Sequence, residues 1–208
     1  MALHKATLAP DPGPIPAPDR PTDVAGWTVA LQDASAALRA EAAVALAGWP
    51  EAADVLATRL LDETDERVRQ ALFTALARRG DEAAAKALLP LLRSEDARLR
   101  NGAIEALASM PQAVAPQITA LLHDGDADVR IFTVNLLGEL RHPQVVHWLL
   151  QVVADDASIN AVAAAIEVLA EAGAPEHLPA LRAARQRFAG DAFIGFAVDM
   201  AIDRIEAK

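Results

Sequence analysis

The chain has 208 residues, 53% of them hydrophobic, and a formal charge of −10 from 29 acids against 19 bases. That balance repels phosphate backbones and, with no concentrated basic patch, argues against a sequence-independent grip on nucleic acid. Cysteine and tyrosine are absent and roughly a quarter of the residues are alanine, which removes disulfides and thiolate chemistry and favours helices packed closely through small side chains.

In chain order, "MALHKATLAPDPGP" carries no apolar core of signal-peptide length, and no 18-residue apolar run follows it. The expectation is a cytoplasmic protein that makes no membrane contact. Six of the 13 prolines fall between Pro10 and Pro21. Residues 1–23 therefore read as a proline-rich, extended arm, either passive or docking on the body or on a partner.

Residues 24–208 read as an array. The segments "SAALRAEAAVAL" from Ser35, "DERVRQALFTAL" from Asp65, "DARLRNGAIEAL" from Asp96 and "DADVRIFTVNLL" from Asp126 align, placing Arg39, Arg69, Arg100 and Arg130 at spacings of 30, 31 and 30. Two further copies, from Asp156 and Asp191, keep Asp-x-x-aliphatic but put Asn160 and Gly195 at the arginine position. An earlier helix precedes each copy, with Pro50, Gly80, Pro111, Pro143 and Pro175 between units, and the Asp or Ser heading each second helix is a suitable N-cap. A period near 30 residues is a solenoid signature.

Asp-x-x-Val-Arg followed by alanines and leucines at helical spacing resembles HEAT repeats, and the short period is similar to the HEAT-like subtype named after phycobilisome lyases. The resemblance spans residues 25–208 and implies an all-α fold, a right-handed α-solenoid of about six helical hairpins. The repeat serves many unrelated tasks, so function has to be read from the side chains.

No chemistry-bearing motif is complete. "DGDAD" from Asp124 opens like a calcium loop, but its sixth and twelfth positions hold Val129 and Asn135 where glycine and glutamate are needed. His4, His123, His142, His147 and His177 form no His-Glu-x-x-His, and the His-Glu pairs of HEAT-type di-iron hydroxylases are absent. Ser35, Ser94, Ser109 and Ser158 lie in no Gly-x-Ser-x-Gly elbow, and no glycine-rich phosphate loop exists. Asp199, Asp203 and Glu206 share one face of the last helix and read as its solvated side. No cofactor and no metal are expected.

Helical phasing puts Gln70, Asn101 and Ile131, then Phe73, Ile104 and Val134, then Thr74, Glu105 and Asn135 on the inner wall of the stack. An apolar seam beside a polar one suits a partner's helix or extended peptide; alternatively Phe73, Ile104 and Val134 fill gaps between neighbouring helices. The last helix carries an apolar row at Ile194, Val198, Ala201 and Ile205 and a second at Phe193, Phe196 and Met200. The surplus row is available for an end-on contact with a partner or a second copy, or for packing under the fifth repeat. The recurring arginines read as a structural ladder pairing with Asp65, Asp96 and Asp126. Together these features point to a non-catalytic scaffold, an adaptor or assembly and maturation chaperone whose acidic surface favours a protein partner with a basic patch. The resemblance also allows a subunit of a bilin-lyase-type enzyme or, less well, a nucleic-acid repair enzyme, although HEAT-like DNA glycosylases have a basic, aromatic-lined channel.

Overall fold

The computed structural model describes residues 20–208; most of the proline-rich arm, residues 1–19, lies outside the described residues. The described chain is helical: α1 (Val24–Ala30), α2 (Ala36–Leu46), α3 (Ala53–Asp62), α4 (Glu66–Arg79), α5 (Glu82–Leu88), α6 (Ala97–Ala108), α7 (Pro111–Leu122), α8 (Ala127–Glu139), α9 (Val145–Asp155), α10 (Ile159–Ala172), α11 (Leu178–Arg187) and α12 (Ala192–Glu206). No described helix is long and apolar enough to cross a membrane.

The boundaries follow from local chemistry. Ser35, Asp65, Asp96, Asp126, Ser158 and Asp191 each accept a backbone N–H of the first turn of α2, α4, α6, α8, α10 and α12, satisfying a donor the helix leaves orphaned. Asp23 does the same for α1 by accepting from the Gly26 amide. Gly80 ends α4 with φ at 61°, a left-handed conformation that costs glycine nothing. The run "DEAAAKALLPLLRS" does not form one helix: α5 stops at Leu88 and Leu89–Arg93 tightens into a 3-10 turn. Pro90 lacks an N–H and crowds the residue before it, which removes a bond from the α ladder and favours the tighter turn here, whereas α7 runs on through Pro116.

The helices pair as six hairpins stacked in two layers. The second helices run in register, with α2 on α4, α4 on α6, α6 on α8, α8 on α10 and α10 on α12. The first helices form the other layer, α3 on α5, α5 on α7, α7 on α9 and α9 on α11. This is an α-solenoid. One hairpin cannot bury its apolar face alone, and stacking produces a core that is continuous from Trp27 to Ile205.

The fifth copy departs from the sequence alignment. Asp156 does not cap α10; Ser158 does, accepting from the Ala161 amide, so this repeat is displaced by two residues. The position equivalent to the ladder arginine is then Val162, which is fully buried, and Asn160 lies exposed on the first turn.

Candidate functional site

The arginine ladder exists, but with different partners from those expected. Asp65, Asp96 and Asp126 spend their carboxylates on capping, accepting from the amides of Arg67 and Val68, of Arg98, and of Asp128. Each ladder arginine instead donates to the backbone carbonyl two residues before its own helix cap: Arg39 to Asp33 (2.9 Å), Arg69 to Glu63 (2.8 Å), Arg100 to Ser94 (2.8 Å) and Arg130 to Asp124 (2.9 Å). Where the same position of the next repeat carries an acid within reach, a bidentate pair forms across the interface. Arg39 reaches Glu63 at 2.8 and 2.9 Å, and Arg130 reaches Asp156 at 2.7 and 3.0 Å. Arg69 pairs with Glu66 of its own helix, and the Arg100 guanidinium lies 4.3 Å from the centre of the Phe132 ring.

Glu63 is the most enclosed of these acids, 2% exposed. Besides Arg39 it receives Arg59 at 2.8 Å and the amides of Thr64 and Asp65. The hydrogen bond from Arg39, with the Asp65 amide and both guanidinium charges, outweighs burial and holds its pKa down at about 2. Burial is the largest influence on Asp156 and pushes it upward, but Arg130, the Ser158 amide and Arg187 together keep it below the usual aspartate range. The Glu63 bond raises Arg39 and the Asp156 bond raises Arg130, so both remain cations.

The ladder arginines stop after Arg130, at Val162 rather than Asn160 and then at Gly195. On the fifth rung the carbonyl of Asp156 is taken by Arg187, which enters from α11 and also donates to the carbonyls of Val153 and Ala154. These arginines bond the carbonyls of the inter-helix loops, and Arg39 and Arg130 also bridge neighbouring repeats.

The wall formed by the second helices differs from the expected paired seams. Phe73, Ile104 and Val134 are buried and present no exposed apolar seam. A solenoid helix has neighbours on both sides as well as its hairpin partner, so its buried arc is wider than that of a helix lying on one surface. Phe73 lies against Gly102 of α6, where a Cβ would overlap its ring. The flanking positions do face outward: Gln70, Thr74, Asn101, Glu105 and Asn135 are exposed and Ile131 is half-buried.

Counted from the residue three after the cap of each second helix, the positions two and six residues later line this stripe, facing outward at least in part everywhere but at the buried Ala163. They hold Ala40 and Val44, Gln70 and Thr74, Asn101 and Glu105, Ile131 and Asn135, Ala163 and Glu167, and finally Phe196 and Met200. Two depressions follow the stripe. One, about 790 Å³, crosses α6, α8 and α10 and is bordered by Glu105, Glu139, Glu167 and Glu171. The next, about 720 Å³, lies between α10 and α12, with Phe193, Phe196 and Met200 on one side and Ala163, Ala164 and Ala170 on the other. They share Ala164, Glu167 and Glu171 and so form one continuous groove.

On α12, Ile194, Val198, Ala201 and Ile205 are buried, whereas Phe193, Phe196 and Met200 stay 58%, 66% and 53% exposed, so the surplus row does not pack under α10. Asp199 and Glu206 pair with Arg185 and Arg182, tying α12 to α11. Exposed pairs of this kind contribute little stability. His123 and His177 serve local turns and His142 stacks on Trp148, with ring centres 5.1 Å apart. Among the described residues no cluster of three or more acids and histidines is placed to hold a metal.

A family model described as HEAT repeats matches residues 24–108 and 114–189. A search of curated proteins finds no match. Among solved structures, human deoxyhypusine hydroxylase in complex with glycerol is 20% identical, covering 89% of this chain and 85% of that one, with a TM-score of 0.47. A designed armadillo repeat protein is 17% identical over 88% of this chain and 100% of that one, with a TM-score of 0.39. The complex of CpcE and CpcF of phycocyanin lyase from Nostoc sp. PCC7120 is 19% identical over 94% and 100%, with a TM-score of 0.34.

Proposed function

Because the chain belongs to the HEAT-repeat family, whose stacked hairpins expose a long side-chain-lined wall, we propose that it is a non-catalytic protein-binding scaffold. It acts as an adaptor or as an assembly and maturation chaperone, holding a protein partner in the groove of its second helices. One observation carries this reading: Phe193, Phe196 and Met200 remain more than half exposed beside an open groove, a cost to solubility that an occupant would remove. Affinity purification from the native cell, followed by mass spectrometry and an absorbance scan, tests it. The expected result is a colourless complex with one or a few proteins in near-stoichiometric amount. Recovery of the chain alone contradicts the scaffold reading, and a co-purifying tetrapyrrole band points instead to a subunit of a chromophore-lyase-type enzyme.

A further inference from the structure

We infer that the groove takes one kind of occupant: a basic, amphipathic helix of a partner protein, with its apolar stripe seated on Phe193, Phe196 and Met200 and its cations over the glutamates of α6, α8 and α10. This inference rests on the scaffold reading and specifies the partner's chemistry. The first support is the repeat comparison. Only the last hairpin places two large apolar side chains, Phe196 and Met200, at the outward positions, and neither is needed to dock α12, whose buried row is complete without them. Facing them, α10 contributes the small side chains of Ala163, Ala164 and Ala170, which let a third helix approach closely, flanked by Asn160, Glu167 and Glu171.

The second support is charge. Glu105, Glu139, Glu167 and Glu171 border the adjoining depression, and among the described residues no lysine or arginine borders it. Glu171 is answered by Arg204 at 2.6 Å, whereas Glu105, Glu139 and Glu167 have no ion-pair partner among the described residues. A row of uncompensated acids repels an acidic or neutral-faced occupant and steers a cationic one. The same charge disfavours a second copy of this chain, which carries a net −10. An apolar anchor next to an acidic track therefore calls for leucine-like side chains flanked by lysine or arginine, arranged at helical spacing.

The test uses the full chain and a fluorescein-labelled 18-residue synthetic peptide of leucine and lysine patterned as an amphipathic helix. Its controls are the same peptide with every lysine replaced by glutamate and a scrambled lysine–leucine sequence that cannot segregate its faces. Anisotropy titration should show binding of the patterned basic peptide alone, weakening as salt is raised from low to physiological strength. The double variant Phe196→Ser/Met200→Ser removes only exposed side chains and should bind at least about tenfold more weakly. Glu139→Gln/Glu167→Gln should weaken binding several-fold at low salt and little at high salt.

Equal affinity of the wild type and the serine variant overturns the proposal, as does equal binding of the glutamate or scrambled peptide. Light scattering at several concentrations supplies another refutation: a mass that doubles with concentration, and does so only while Phe196 and Met200 are present, makes the occupant a second copy. The two readings separate in the native pull-down. If the serine variant captures the same partner as the wild type, the groove assignment falls and the scaffold stands; if the wild type captures none, the scaffold reading falls.

Discussion

Replacing Glu63 by glutamine isolates the strongest rung of the ladder. Its carboxylate has 0% side-chain exposure and bonds Arg39, Arg59 and two backbone amides, all of which favour the anion. The fall in pKa from 4.5 to about 2 corresponds to roughly 3 kcal/mol at about 1.4 kcal/mol per unit. Solvent around the outer parts of Arg39 and Arg59 screens some of this, leaving an expected loss of about 2 kcal/mol at pH 7. Because the folded-state pKa lies below the unfolded value, the stabilisation is complete above about pH 4.5 and disappears as pH falls through about 2. Urea unfolding followed by helical circular dichroism at several pH values should show the gap between wild type and Glu63→Gln widest at neutral pH and about halved near pH 3. A gap below about 0.5 kcal/mol at pH 7, or one that stays constant down to pH 2.5, refutes the assignment of Glu63 as an anion clamped between two repeats.

The ladder should be graded. Arg130→Ala strands the nearly buried Asp156 carboxylate and should cost about 3 kcal/mol, whereas Arg100→Ala loses one carbonyl bond and the stack on Phe132 and should cost about 1–2 kcal/mol. Chemical denaturation ranks them, and Arg100→Ala proving the costlier sinks the interface-pair account. Gly102→Ala raises helix propensity yet should destabilise by about 1–3 kcal/mol because its methyl meets the Phe73 ring. Phe73→Leu in the same chain should recover part of that loss, and a stabilised Gly102→Ala alone would disprove the contact. Val162→Arg restores the repeat pattern on paper but should lower the melting temperature, since the site is buried and Arg187 already occupies the Asp156 carbonyl. An unchanged melt contradicts that explanation of the missing arginine.

The repeat period, the hairpins and the arginine ladder were legible because they recur at one spacing. The ladder's partners were not, because the capping aspartates are the nearest acids in the chain while the true position, two residues earlier, varies. It holds Asp33, Glu63, Ser94, Asp124, Asp156 and Ala189, a period visible only once the caps are known. The slip in the fifth copy has a related origin: Asp156-Ala-Ser-Ile159 spells the start of a repeat, although Asp156 serves Arg130 and Ser158 does the capping. Of the two readings of Phe73, Ile104 and Val134, the filling of gaps between neighbouring helices agrees with their burial, and phasing one helix cannot choose between them because it does not show lateral neighbours. Phe196 and Met200 were readable as a surplus row, but their place beside the acidic stripe needed the true register of α10.

Arg187 gives the array a direction. The earlier loops are closed by an arginine from the helix that follows immediately, so each can set as soon as its own hairpin is complete. The loop around Asp156 is closed from α11, some thirty residues later in the chain. During synthesis Arg130 and the Ser158 amide can already hold the Asp156 carboxylate, but the carbonyls of Val153, Ala154 and Asp156 gain their arginine only once α11 has emerged. The groove between α10 and α12 has walls from two hairpins, so it takes shape only when α12 docks on α10.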